Sequence, residues 1–108
     1  MAYTTINKST DYFNTKLWTG NGSTQNITGV SHTPDFVWIK KRTDADGARI
    51  FDTIRTATKA IFTNSNSAET TVTSELSAFG SDGYTLGASD AVNGNSKNYV
   101  GWNWKANG

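Results

Sequence analysis

The 108-residue chain has no cysteine, and only one proline, one histidine and one methionine. Without cysteine there is no disulfide framework, no thiolate metal site and no cysteine nucleophile, so stability must come from packing and hydrogen bonds. Nucleophilic catalysis needs a base within reach of a hydroxyl or thiol. The lone histidine, His32, stands in "SHTPD" beside the only proline and reads as a solvated turn residue. No Gly-x-Ser-x-Gly elbow supports a triad. An excess of charge of one sign is missing as well. Ten basic residues against nine acidic ones leave no global field to draw the chain onto nucleic acid or a membrane surface.

Long apolar runs are also absent. No stretch approaches the roughly 18 apolar residues of a membrane span, and "MAYTTINKSTDYF" lacks the basic and apolar regions of a signal peptide. The expectation is a soluble protein made in a cytoplasm, in which the sequons at Asn7, Asn21 and Asn26 carry no weight.

Only 35% of the residues are apolar, and the space is taken by 17 Thr, 11 Asn, 10 Ser and 10 Gly, a vocabulary of strands and turns with few good helix formers. Turn signals recur at 19–23, 32–35, 44–47, 64–67, 80–83 and 92–96, with short β-branched or apolar runs between them. That spacing predicts one all-β domain over 1–108, an antiparallel two-sheet β-sandwich of jelly-roll type. Strands are expected at 16–19, 25–28, 36–42, 49–53, 60–63, 71–79, 84–86 and 98–104. One short N-terminal helical turn is expected in "KSTDYFNT", capped by Ser9 or Thr10 and carrying Tyr12 and Phe13. Hairpins are expected between 36–42 and 49–53, and across Gly80-Ser81-Asp82-Gly83. The Ser/Asn-rich stretch 64–75 reads as an exposed loop leading into a strand.

Two convergent carboxylates would suffice for glycoside hydrolysis. Asp35, Asp52, Glu69, Glu75, Asp82 and Asp90, however, all lie in turns, at strand ends or in polar stretches, where a carboxylate is ordinarily solvated or bound to backbone amides. "DADG" at 44–47 begins like a calcium loop but lacks its later ligands, and a turn with Gly47 at positive φ explains it more simply. No enzyme, metal or cofactor is expected. Lys40, Lys41, Arg42, Arg49, Arg55 and Lys59 crowd into twenty positions. The first four are candidate contacts to a polyanion, set against the plainer role of guarding an edge strand.

The aromatics carry most information. In the closing strand a period of two puts Val100, Trp102 and Trp104 on one face and Tyr99, Gly101, Asn103 and Lys105 on the other. Two exposed indoles would make a sticky patch, so Trp102 and Trp104 are expected in the core, with Tyr99 and Asn103 at the surface. Tyr99, Asn103, Trp18 and Tyr84 are the candidate ligand or subunit contacts. In "FVWIKKR" both alternating sets begin apolar, which predicts cover on both sides, one side from a neighbouring subunit.

Taken together, "LWTGNGSTQNITGV", "PDFVWIKKR", "IFDTIRTATK", "SDGYTLG" and "YVGWNWKA" resemble a module of tailed-bacteriophage virion proteins, frequent in marine phages and in fibre-like, receptor-binding tail proteins. The resemblance runs over residues 12–106. The proteins resembled tend to have Asn in place of Lys41, Gly in place of Thr56 and "AWCW" in place of residues 101–104. The resemblance implies a structural β-sandwich of a tail fibre, appendage or particle surface. Such a module would assemble with itself and other virion proteins, contribute to host-surface attachment and reside in the virion. It implies no catalytic residue. A carbohydrate-binding module, in which Tyr99, Tyr84 or Trp18 stacks on host glycan, and a capsid decoration protein are the alternatives.

Overall fold

The computed structural model describes residues 8–106; Asn7 and residues 107–108 lie outside the described part. Among the described residues, nine antiparallel strands form two sheets. They are β1 (Phe13–Thr19), β2 (Gln25–Ile27), β3 (Phe36–Lys41), β4 (Arg49–Asp52), β5 (Lys59–Phe62), β6 (Thr70–Thr71), β7 (Leu76–Gly80), β8 (Gly83–Leu86) and β9 (Asn98–Trp104). The larger sheet runs β1-β9-β3-β4-β5-β6 and the smaller β2-β8-β7. The two-sheet sandwich expected from the turn spacing is present, as are both hairpins.

The local differences have physical causes. The N-terminal turn is a 3-10 turn at Ser9–Asp11, and Phe13 begins β1 rather than ending a helix. Its capping residue is Lys8, without a side-chain cap bond. The expected strand 71–79 is two strands, because the Val72 amide donates to the Thr58 carbonyl beside β5 while the Ser74 and Glu75 carbonyls accept the Ser89 and Gly87 amides. One element has no counterpart among the expected ones, α1 at Asp90–Asn93, a single turn capped by the Ser89 hydroxyl on the Ala91 amide.

The core lies between the sheets. Trp18, Tyr99, Val37, Ile39, Phe51 and Ala60 of the larger sheet meet Ile27, Leu76, Tyr84 and Leu86 of the smaller one, with Val30, Ala91 and Val92 closing one end. Asn93, fully buried, ties the loops at that end. Its amide nitrogen donates to the Asn21 side chain at 3.1 Å and the Gly87 carbonyl at 3.0 Å, and its side-chain oxygen accepts from the Asn21 amide at 3.2 Å.

Gly47 does not adopt the positive φ expected of it; Gly22, Gly29 and Gly83 do. A Cβ at Gly47 would instead collide with the Asn64 side-chain amide packed against it. Thr56 has φ +77°, a conformation a β-branched residue adopts only under strain. Thr56→Gly is therefore expected to raise stability by about 1 kcal/mol, read as a higher urea midpoint with unchanged slope; a lower midpoint would refute the strain.

Asp82, at the tip of the β7–β8 hairpin, accepts the Gly29 amide at 2.9 Å and the Ser31 amide at 2.7 Å. These two bonds hold its carboxyl below the usual carboxylate range. Because the folded value is depressed, the contribution is present above the unfolded pKa near 3.8 and is lost as pH falls through the folded one. Asp82→Asn is expected to melt lower at neutral pH and to show a shallower acid decline below about pH 4. An unchanged acid limb would show that other carboxylates carry it.

Candidate functional site

Apart from Val100, which is buried as expected although it shares the outer face with Leu17 and Lys40, the two faces of β9 are the reverse of the expected ones. Tyr99 is fully buried and stacks on Trp18 with centroids 6.0 Å apart. Its hydroxyl donates to the Asp90 carbonyl and accepts the Gly94 amide. Asn103 is fully buried too, with its amide nitrogen donating to the Asn14 and Gly101 carbonyls at 3.1 and 3.2 Å. Alternation divides a strand into two faces but does not say which one meets the second sheet. Here Gly101 faces the second sheet: a Cβ there would strike the Tyr84 hydroxyl and lie 2.9 Å from the Trp18 ring, so the glycine lets those rings pack close to the β9 backbone.

Trp18 and Tyr84 are buried with Tyr99, so none of the four predicted contact residues is at the surface. Trp18 donates its indole N–H to the Val92 carbonyl at 3.0 Å. Burial pushes the Tyr84 hydroxyl well above its usual pKa. His32 is likewise buried rather than solvated, with Nδ1 3.0 Å from the Thr10 carbonyl, because residues 30–34 fold beneath the N-terminal turn.

The basic cluster is divided by the sheet. β3 and β4 are interior strands, so there is no edge for these residues to line or guard. Lys41 points inward, its stem covered and its ammonium held by Asp90, by Asp46 at 3.2 Å and by Asp44 at 3.9 Å. The Asp90 contact raises its pKa against the cost of burial. Such a lysine is a tether between β3 and α1 and is not free for a polyanion. Arg49 also points inward, bonded to Glu75 at 3.2 Å and stacked over Phe62. Burial raises the Glu75 pKa in spite of that partner. Lys40 faces outward, half-buried, and Arg42 is exposed.

Asp52 and Arg55 pair at 2.6 Å, and Glu69 joins them at 3.0 Å from Arg55. Asp52 also lines a hollow beside Ile54 together with Asp35, whose carboxylate accepts the Thr53 hydroxyl at 3.4 Å and the Ala106 amide at 3.0 Å. Among the described residues no group of three or more His, Asp or Glu is placed to hold a metal ion, and no helix is long and apolar enough to cross a membrane.

The outer face of the larger sheet is apolar, and sequence reasoning misses it by assigning its indoles to the core. Cross-strand register builds three rows. Phe13, Trp104, Phe36 and, on β4, Asp52 form the first, Thr15, Trp102, Trp38, Ile50 and Ile61 the second, and Leu17, Val100 and Lys40 the third. Trp38 and Phe13 are each 37% exposed and Leu17 59%. The rings interlock edge to face: Trp38–Trp102 at 6.1 Å and 76°, Phe36–Trp104 at 5.1 Å and 73°. At one end, Trp38, Trp102, Lys40, Ala48, Thr63 and Asn64 line a concavity of about 410 Å³. At the other, Ile54 of the β4–β5 turn is 91% exposed beside Phe36 and Ala106. Both apolar sets of "FVWIKKR" are thus accounted for: Val37 and Ile39 in the core, Phe36 and Trp38 on a face that nothing among the described residues covers.

No curated protein and no solved structure matches the chain. A family model described as a domain of unknown function, DUF7483, matches residues 8–108, and the chain belongs to that family.

Proposed function

We propose that the chain is a structural module of a bacteriophage particle, a tail-fibre, appendage or particle-surface component that assembles with copies of itself. The uncovered aromatic face carries this reading. A monomeric domain rarely leaves a contiguous apolar patch of this kind in water, and such patches mark interaction sites. The five sequence stretches similar to phage virion modules support the same role. An antibody raised against the chain tests it: on purified particles from infected cells it is expected to label a fixed site, and a chain absent from particles would remove the reading.

The concavity favours a second reading, a glycan-binding module. It pairs the Trp38 and Trp102 rings with the polar side chains of Lys40, Asp46, Thr63 and Asn64, the mixture that small-ligand sites use. Rings crossed at 76° make a corrugated surface rather than a flat platform for successive sugars, which ranks this reading second. A glycan array with no bound member and no change in tryptophan fluorescence would discard it.

A further inference from the structure

We infer that two copies of the chain pair through the outer aromatic face, with strands antiparallel across the interface and Ile54 of each copy seated in the Trp38–Trp102 concavity of the other. This deepens the self-assembling reading proposed above and rests on it.

The face is self-complementary in one orientation. A two-fold axis lying in the interface, perpendicular to the strands and over the middle row, returns each strand against itself with its ends exchanged. Trp38, Trp102 and Thr15 then face their own copies. The bulky first row of Phe13, Trp104 and Phe36 meets the slimmer third row of Leu17, Val100 and Lys40. A two-fold axis along the strands would instead set bulky row on bulky row and hold the third rows apart. The antiparallel pair also keeps the two Lys40 ammoniums at opposite ends, each over Phe36 of the second copy, where a cation over a ring face is favourable.

The β4–β5 hairpin supplies a knob and a hole. Ile54 stands at its turn, and Ala48, Thr63 and Asn64 stand at its open end beside the concavity. The same axis exchanges these two ends, bringing a side chain that is 91% exposed over a hollow walled by indoles. The area is adequate. The 28 residues of β1, β9, β3, β4 and β5, each about 3.3 Å along the strand and about 4.8 Å across it, give a plan of roughly 440 Å². Standing rings raise the accessible surface towards the roughly 800 Å² per partner of a stable interface.

Sedimentation equilibrium of the full chain tests this. The native protein is expected at twice the chain mass, and Ile54→Glu and Trp38→Glu are each expected to weaken the dimer roughly 30-fold or more, as central interface residues do. Ile54 touches little of its own chain, so Ile54→Glu should melt as the native monomer does, which separates dissociation from misfolding. The Thr15→Cys variant carries a single thiol and is expected to be joined to its copy by a short bismaleimide, since sheets pack about 10 Å apart. A native protein that stays monomeric at about 0.1 mM, a weak assembly by any measure, would overturn the inference. So would a dimer unaffected by Ile54→Glu or a Thr15→Cys variant that does not cross-link. If the chain is on particles yet the dimer ignores Ile54→Glu, the pairing fails and the virion role stands; a dimer of the expected kind with no chain on particles gives the reverse.

Discussion

Gly83→Ala is expected to destabilise the native fold by about 3 kcal/mol or more. Gly83 is buried where β8 begins, and a Cβ there would lie inside the van der Waals envelope of the Ile27 carbonyl oxygen, with Thr28 Cα 3.3 Å away. The obstacle is backbone of the neighbouring strand, which has no rotamer to swing aside. Overpacking a well-packed site costs about 1–3 kcal/mol and more where nothing yields, and the native state of a domain this size is held by only about 5–15 kcal/mol. The β2–β8 ladder that seats Ile27 and Tyr84 would open. Gly80 is the control: a Cβ there meets Gly83 oxygen at an ordinary 3.5 Å, so Gly80→Ala is expected to fold. Urea unfolding of both variants checks this, and a Gly83→Ala midpoint within error of the native one would refute the close approach.

Tyr99→Ala is expected to cost about 3–5 kcal/mol, the range for removing a large buried ring. The ring fills the space beside Trp18, and its hydroxyl satisfies the Asp90 carbonyl and the Gly94 amide at 2.7 Å. Tyr99→Phe isolates the second contribution. It keeps the ring but strands those backbone groups, for about 1–3 kcal/mol. Leu17→Ala, on the opposite face and 59% exposed, should change monomer stability by well under about 1 kcal/mol. If Leu17→Ala proved the more damaging of the two in urea unfolding, the faces would be as alternation first suggested. The dimer proposed above sharpens the contrast, because Leu17→Ala should then weaken association while Tyr99→Phe leaves it intact.

Much of the architecture was legible in sequence. Short β-branched runs punctuated by Asn, Gly, Ser and Asp specify strands and turns through local sterics and local hydrogen bonds, so the sandwich, the β3–β4 hairpin and the tight Ser81-Asp82 turn could all be read directly. The short helix α1 could not. Four residues around Ser89 become helical because Trp18, Tyr99 and Lys41 engage the Val92 carbonyl, the Asp90 carbonyl and the Asp90 carboxylate from distant strands. No local pattern carries that information. The basic cluster misleads for a related reason: adjacent lysines at 40 and 41 look alike in sequence, yet the pleat sends one outward and buries the other among three aspartates.

Sequence alone sets the composition of each face of each strand, since a period of two is built into extended backbone. It also limits the chemistry, since one histidine and no thiol leave few routes to catalysis. Which face of β9 lies inside is settled by long-range packing. Gly101 leaves room for Trp18 and Tyr84, Asn103 finds two backbone carbonyls between the sheets, and the indoles of Trp102 and Trp104 are left on the far side. Burial depends on what fills the opposite side of a contact, and that side is contributed by strands far away in the chain. The aromatic outer face of the larger sheet is the consequence of that packing.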